Sequence, residues 1–208
     1  MKSIDLTKWK RKDVYDFYKN MDMPRFQITV DVDVYWFYKY VRYNELSFYY
    51  SFMWLVLSEL NQIENFKYRL IDLEVVLFDV VHPSFTDRIE DGDTFKIVNV
   101  NYLPDLFEFN KLAKQKSQEQ GNQFINLDEE KRQDLVYITS FPWAKYTQAT
   151  NVFNIDSKDA IPRIGWGKYE KSEAKWMMPL TIEVHHACAD GYHVGLLING
   201  IEERLKRY

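Results

Sequence analysis

Apolar and polar residues follow two different periods along the chain. Over residues 26–34 and 178–184 they alternate, which is the two-residue period of a strand with one buried face. Residues 47–62 carry apolar side chains at wider intervals, as an amphipathic helix does. The same criteria predict further helices over 5–20, 35–43, 105–120 and 194–205, and further strands over 66–71, 73–78, 94–100, 150–154, 163–169 and within 135–143.

Capping and turn residues divide these elements. Thr7 is a candidate N-cap for the first helix, and Met23-Pro24-Arg25 ends it. Gly121 ends the helix over 105–120. Turns are predicted at 71–72 and 90–93, and an exposed loop with a helical turn at 128–133. Because no repeat or Ser-, Gly- or Pro-rich linker interrupts the pattern, the sequence predicts one α/β domain over 1–208.

Composition narrows the class of protein. The 208 residues are 46% hydrophobic and 17% aromatic, enough for a large packed core. A net charge of −4 without a long basic run argues against nucleic-acid binding. No apolar run is long enough to span a bilayer and no N-terminal signal pattern is visible. Cys188 is the sole cysteine, so we expect a soluble cytoplasmic protein without an intrachain disulfide.

Three of the four histidines, His185, His186 and His193, lie in the strand-to-helix turn around Asp190-Gly191. A lone histidine in a turn is usually structural, but a histidine pair followed four residues later by Asp-Gly favours a chemical role. A Cys188 nucleophile lacks a Cys-His-Asn constellation, and a metal site from these histidines and Asp190 is disfavoured because adjacent histidines rarely chelate one ion. We therefore expect no metal.

The motif His185-His186-x-x-x-Asp190-Gly191, about twenty residues from the C-terminus, resembles that of the trimeric, CoA-dependent chloramphenicol acetyltransferases. The shorter core His-x-x-x-Asp-Gly is shared with the acyltransferase cores of 2-oxo-acid dehydrogenase complexes. Three other segments also resemble the family: Trp9-x-Arg11, the strand carrying Thr139 ahead of Pro142-Trp143, and the segment ending Lys168-Tyr169.

The resemblance implies a role for each matching residue. His186 would be the general base that removes a proton from an acceptor hydroxyl, and Thr139, where the family has serine, would donate to the oxyanion. Arg11 would pair with Asp190 and hold the turn. His185 would point to the other side of the backbone and be structural. His82 lies apart from the other histidines and is also taken as structural.

The resemblance also implies substrate contacts and an assembly. Lys168 and Tyr169 would contact CoA, and Tyr18, Phe26 and Phe95 would line the acceptor pocket. Three positions depart from the family pattern: Asp22 and Asn151 stand where leucine is usual, and Gly165 where threonine is usual. The implied fold is a two-layer α/β sandwich with a large mixed β-sheet and helices on one face. The implied assembly is a homotrimer with active sites at the subunit boundaries.

The function implied is an acetyl-CoA-dependent O-acetyltransferase that acts on a hydroxyl of chloramphenicol or a related small acceptor. The three departures leave an alternative open, in which a non-catalytic relative keeps the fold as a CoA-binding or assembly module. A third possibility is an acyltransferase core that uses a lipoyl-type thiol acceptor, although the chain carries no lipoyl segment or linker of its own.

Overall fold

A computed structural model describes residues 1–72, 74–89, 92–152 and 158–208. The helices are α1 (Lys12–Tyr18), α2 (Tyr35–Tyr43), α3 (Phe48–Leu60), α4 (Leu106–Gln120), α5 (Leu127–Glu130) and α6 (Gly191–Leu205), with a 3₁₀ turn at Glu64–Phe66. The strands are β1 (Lys2–Ser3), β2 (Arg25–Asp33), β3 (Tyr68–Ile71), β4 (Glu74–Leu77), β5 (His82–Arg88), β6 (Phe95–Asn99), β7 (Leu135–Phe141), β8 (Arg163–Gly167), β9 (Glu170–Lys171) and β10 (Trp176–His185).

A large mixed sheet organises the chain. Its strands run in the order β2-β10-β8-β7-β5-β6, and β9 pairs with one end of β10. Strand β7 is parallel to both β5 and β8, whereas the other neighbouring pairs are antiparallel. A small antiparallel sheet, β1-β4-β3, lies beside it. The predicted fold class, a large mixed sheet combined with helices, is confirmed.

One face of the large sheet forms the main hydrophobic core. Alternate residues of each strand enter it, such as Ile138, Ile164 and Ile182, because successive strand side chains point to opposite faces. Helix α3 contacts α2, α4, α6 and β5, and it buries nearly every side chain from Ser51 to Leu60. Ser47 caps its first turn by accepting from the Tyr50 amide.

The opposite face carries a line of hydroxyl side chains, which we call the threonine row. Thr139 on β7 lies beside Gly165 on β8, Gly165 beside Thr181 on β10, and Thr181 beside Thr29 on β2. Thr86 on β5 continues the row, with its Oγ1 3.3 Å from Thr139 Oγ1. The four threonines therefore come from four strands, with Gly165 of β8 between them, and the register of the sheet brings them together.

The N-terminal helix is shorter than its pattern predicted. It begins at Lys12 rather than near residue 5, and Thr7 is not its cap. Instead the Thr7 backbone amide donates to Asp5 Oδ1 at 3.0 Å in a separate turn, because a short acidic side chain can bind the backbone two residues on. Trp9 lies outside the helix and packs edge-on against Tyr68, with ring centroids 5.1 Å apart.

Two strand predictions were also incomplete. No strand was predicted between residues 78 and 94, but His82–Arg88 form β5, between β6 and β7. Pro83 and a mostly polar sequence concealed this strand. His82 is structural as predicted, since its Nδ1 accepts from the Tyr102 amide at 2.9 Å. Of the strand predicted over 150–154, residues 150–152 are not in a strand and the remainder lies outside the described residues.

Other boundaries follow the predictions closely. Helix α2 has the predicted bounds, and α4 ends at Gly121, which adopts φ 57°. The predicted turn at 71–72 has Asp72 at φ 54°, whereas positions 90 and 91 of the next predicted turn lie outside the described residues. In the described ranges, no helix has the length and apolar character needed to cross a membrane.

Candidate active site

His186 follows directly on β10 and is clamped by two aromatic rings. Its imidazole stacks on Tyr18 with centroids 4.2 Å apart and an interplanar angle of 5°, and Phe26 lies at 4.7 Å. Its amide donates to Pro24 O at 2.7 Å. Nδ1 is buried and has no hydrogen-bond partner within the described ranges, whereas Nε2 is not buried. The nitrogen available to exchange a proton with a substrate is therefore Nε2.

Arg11 holds the turn that carries this imidazole. Its Nη1 lies 2.8 Å from Asp190 Oδ2, as the resemblance implied, while Nη2 and Nε donate to the carbonyl oxygens of His186 at 3.2 Å and Ala187 at 3.3 Å. Asp190 also caps α6 by accepting from the Tyr192 amide at 3.0 Å. The Arg11 side chain is largely buried, so these three acceptors replace the water that would otherwise solvate its charge.

The electrostatics of Asp190 favour the charged form. Burial acts to raise its pKa, but the hydrogen bond from Arg11 and the charges of His193 and Arg11 outweigh burial, and the pKa is lowered below its ordinary value. Asp190 is therefore a carboxylate near neutral pH, suited to holding Arg11 and unsuited to donating a proton.

The residues flanking His186 are structural. His185 is 1% exposed and its Nδ1 accepts from the Ala187 amide at 3.1 Å. Cys188 is buried as well, and burial raises the pKa of its thiol to about 12. A thiol with that pKa is protonated near neutral pH, so the geometry gives Cys188 no role as a nucleophile.

Thr139 lines a cavity of about 360 Å³ on the threonine-row face. Its hydroxyl faces Thr86, and its methyl faces Gly165, where an added Cβ would lie 3.4 Å from that methyl. The threonine at position 139, in place of the family's serine, thus lies next to the departure at Gly165. The extra methyl of threonine occupies space beside a residue that has no side chain.

A second cavity, of about 830 Å³, is bordered by Lys168 and Tyr169. It shares Ser140 and Trp166 with the cavity of Thr139, so both cavities border the same part of β7 and β8, one on each face of the sheet. The Tyr169 ring stacks on Trp176 at 5.0 Å and 11°, and burial raises its pKa to about 12. Lys168 is exposed at the cavity edge, where its charge remains available to a ligand.

His186 and Thr139 do not meet within one chain. His185, the residue before His186, lies four residues beyond Thr181 on β10, and β10 is two strands from β7. The backbone of His185 is therefore about 13 Å from that of Thr139 along the strand direction and about 10 Å across the sheet. Neither His186 nor its two aromatic neighbours line the Thr139 cavity. The predicted acceptor residues divide likewise: Tyr18 and Phe26 lie against His186, whereas Phe95 is on β6 against Phe124.

A buried ionic cluster on β10 and its neighbours gives the polar side chain of Asn151 a partner. Asn151 Nδ2 donates to Glu183 Oε2 at 3.0 Å, and Glu183 Oε1 accepts from Arg25 at 2.6 Å and from Arg163 at 3.4 Å. The amide of Asn151 therefore has a partner, which reduces the cost of a polar side chain there. Asp22 is exposed. Glu183 inside an otherwise apolar strand was the sequence signal of this cluster.

A large mixed sheet thus carries a clamped histidine at the end of β10 and a hydroxyl beside a cavity on β7. The family model "Chloramphenicol acetyltransferase" matches residues 1–202, and the chain belongs to that family. It is 30% identical over 201 residues to the chloramphenicol acetyltransferase of Proteus mirabilis, covering 96% of this chain and 92% of the relative. The Escherichia coli enzyme is 29% identical over 202 residues, covering 97% and 92%.

Solved structures agree with this placement. A chloramphenicol acetyltransferase superimposes with a TM-score of 0.89 at 25% identity, covering 97% of this chain and 98% of that one. A probable dihydrolipoamide acetyltransferase from Listeria monocytogenes superimposes with a TM-score of 0.70 at 12% identity, covering 100% and 95%. The second similarity is one of fold alone.

Proposed function

We propose that the protein is an acetyl-CoA-dependent O-acetyltransferase that transfers an acetyl group to a hydroxyl of chloramphenicol or a related small acceptor. The observation that carries this proposal is the clamped imidazole of His186, which has one buried nitrogen, one accessible nitrogen, and a turn fixed by Arg11 and Asp190. A base held in a single orientation loses little freedom when it meets its substrate.

In the proposed reaction, His186 Nε2 accepts the acceptor's hydroxyl proton as that oxygen attacks the thioester carbonyl. The carbonyl oxygen becomes an oxyanion, to which the Thr139 hydroxyl donates. The intermediate then collapses, the carbon–sulfur bond breaks, and the imidazolium returns its proton to the leaving thiolate. General base catalysis of this kind contributes roughly a hundred- to ten-thousand-fold, and one oxyanion donor contributes about 3 kcal/mol.

The cavity bordered by Lys168 and Tyr169 supports acetyl-CoA as the acyl donor. Its volume of about 830 Å³ is within the ordinary range for a ligand of this size. Lys168 supplies a cation for a CoA phosphate, and Tyr169 supplies an apolar wall with a hydroxyl at its edge. Ser140 and Trp166 border both cavities, so this cavity lies at the same part of β7 and β8 as Thr139.

The separation of His186 from Thr139 supports an active site built by two copies of the chain. In the proposed homotrimer, each His186 faces the Thr139 cavity of the neighbouring copy. The exposed aromatic side chains Phe141 (48% exposed) and Trp143 (62%), which follow Thr139 in the chain, would then be covered by that neighbour.

The test is release of free thiol from acetyl-CoA in the presence of chloramphenicol, followed with a thiol reagent. We expect turnover with the unmodified protein, a loss of at least a hundredfold in kcat for His186→Ala, and unchanged turnover for Asp16→Asn on the exposed face of α1. Full activity of His186→Ala would refute the assigned base. Absence of turnover on every hydroxyl acceptor would refute the function.

The shared site has its own test. His186→Ala and Thr139→Val subunits should each be inactive alone, and unfolding and refolding them together should restore part of the activity, because a mixed trimer contains interfaces with both residues intact. Sedimentation should give three times the chain mass. A monomer, or mixed subunits without activity, would contradict the proposed assembly.

A further inference from the structure

The threonine row has one gap, at Gly165. Thr86 and Thr139 lie on one side of it, and Thr181 and Thr29 on the other. The Thr29 and Thr181 hydroxyls are 2.8 Å apart. The cavity of about 360 Å³ is bordered by residues on both sides of the gap, so a ligand in that cavity contacts the sheet where the row is interrupted.

The side chain that approaches the gap comes from outside the sheet. The ring of Tyr146 lies over Gly167, where an added Cβ would be 2.8 and 2.9 Å from two ring carbons, too close for any other residue. Its hydroxyl is 3.8 Å from the point that a Cβ of Gly165 would occupy. Two glycines on β8 therefore make room for this tyrosine, one for its ring and one beside its hydroxyl.

The Tyr146 hydroxyl accepts a hydrogen bond, and its own O–H is left to donate to a ligand. Thr181 Oγ1 donates to Tyr146 OH at 3.3 Å, so Thr29 is the donor to Thr181 in the 2.8 Å contact. In the parts of the chain that the structure describes, Tyr146 OH donates to no acceptor. Burial raises the pKa of Tyr146, which keeps the phenol protonated near neutral pH. It is a half-buried donor at the wall of the cavity.

Packing alone does not account for this hydroxyl. Phenylalanine would fill the space over Gly167 equally well, and Thr181 would keep its bond to Thr29. What the tyrosine adds is a single directed donor beside Gly165, in the cavity that Thr139 also lines. A pocket with such a donor favours ligands that present an acceptor atom to it, because a ligand without one leaves the donor desolvated and unpaired.

We propose that the Tyr146 hydroxyl is a specificity-determining group that donates to an oxygen atom of the acyl acceptor. The favoured acceptors are alcohols that carry an amide or other carbonyl oxygen a few bonds from the reacting hydroxyl. This inference rests on the proposed function, since it takes the Thr139 cavity as the acceptor site.

The experiment compares two alcohols of equal length that differ in one respect. N-(2-hydroxyethyl)-4-nitrobenzamide and 4-(4-nitrophenyl)butan-1-ol each have four atoms between ring and hydroxyl, but only the first offers an amide oxygen. Calorimetric titration of each into the full-length protein in the presence of CoA gives the dissociation constants. We expect the unmodified protein to prefer the amide by about tenfold, and Tyr146→Phe to reduce that preference to about twofold by weakening amide binding.

Tyr192→Phe is the matched control, since Tyr192 is 71% exposed at the start of α6, and it should keep the tenfold preference. The inference is overturned if the unmodified protein shows no preference or binds neither alcohol. It is also overturned if Tyr146→Phe keeps the preference while remaining folded by circular dichroism.

A parallel thiol-release assay with acetyl-CoA and chloramphenicol separates this inference from the proposed function. Turnover without the Tyr146-dependent preference refutes the inference alone. A preference that depends on Tyr146, without turnover on any alcohol, refutes the acetyl transfer and leaves the binding inference standing.

Discussion

Arg11 and Asp190 are 179 positions apart in the sequence, yet Arg11 Nη1 lies 2.8 Å from Asp190 Oδ2. The same guanidinium donates to the carbonyl oxygens of His186 and Ala187. An arginine on the N-terminal segment thus fixes three points of the turn that carries the candidate base. The orientation of His186 therefore depends on the contact between the N-terminal segment that carries Arg11 and the turn before α6.

Replacing Asp190 with asparagine should destabilise the protein and misplace His186. Arg11 would lose a charged acceptor while its side chain stays mostly buried, and we expect a loss of about 2 kcal/mol in the free energy of unfolding. Urea denaturation measures this loss, and the thiol-release assay should show a lower kcat. Asp16→Asn is the control, because Asp16 pairs with Lys12 and Lys19 on the exposed side of α1 and should cost less than about 1 kcal/mol. Equal effects of the two variants would contradict the role given to Asp190.

The hydroxyl of Thr139 should matter more than its methyl. Thr139→Val keeps the shape but removes the donor, so kcat should fall by about a hundred- to a thousandfold, with little change in the KM for acetyl-CoA. Thr139→Ser keeps the donor, and it should retain activity within several-fold because Gly165 leaves space for the rearranged side chain. Steady-state kinetics of the two variants decide the matter, and similar losses in both would argue against an oxyanion role.

Gly167 and Gly195 should respond oppositely to alanine. A Cβ at position 167 would meet Pro179 and the Tyr146 ring at 2.8 Å, so Gly167→Ala should cost about 1–3 kcal/mol. Gly195 lies inside α6 with nothing within 4 Å of an added Cβ, so Gly195→Ala should add up to about 1 kcal/mol. Thermal unfolding of both variants provides the comparison. A neutral Gly167→Ala would show that the tyrosine ring is not confined there.

Stability should decrease as the pH is lowered through about 6.5. In the folded protein burial is the main cause that lowers the pKa values of His82 and His193, so the unfolded chain binds these protons more tightly. The stabilisation is therefore complete above the unfolded pKa and is lost as the pH falls, by at most about 1.4 kcal/mol per pH unit for each histidine. Urea denaturation at pH 7.5 and 5.5 tests the sign, and His82→Asn should reduce the difference. A stability that rises on acidification over this range would refute the prediction.

The thiol of Cys188 should be almost unreactive in the folded protein. It is 3% exposed and burial raises its pKa to about 12, so little thiolate exists at pH 8. A thiol reagent should label it at the rate of unfolding, and fast labelling should appear only in denaturant. Rapid stoichiometric labelling of the native protein would show that the turn around His186 opens readily.

Some helix and strand boundaries follow from the local sequence because they depend on side-chain periodicity, capping hydrogen bonds and backbone conformation within a few residues. The period of two in 26–34 predicted β2, the caps Ser47 and Asp105 start α3 and α4, and Gly121 ends α4 at positive φ. The histidine-rich turn was visible as a motif. Strand β5 was not, because its polar sequence and Pro83 gave no period, and its pairing with β6 and β7 depends on residues distant in the chain.

The sequence by itself determined the family, the strand-to-helix turn of His186 and the residues that match the family's motifs, because short-range spacing encodes them. Only the tertiary structure decided what those residues face. The register of five strands formed the threonine row, two glycines placed Tyr146 beside its gap, and Glu183 gathered Arg25 and Arg163. Such contacts join residues far apart in the chain, and their geometry is set by sheet pairing and packing, which no local pattern specifies.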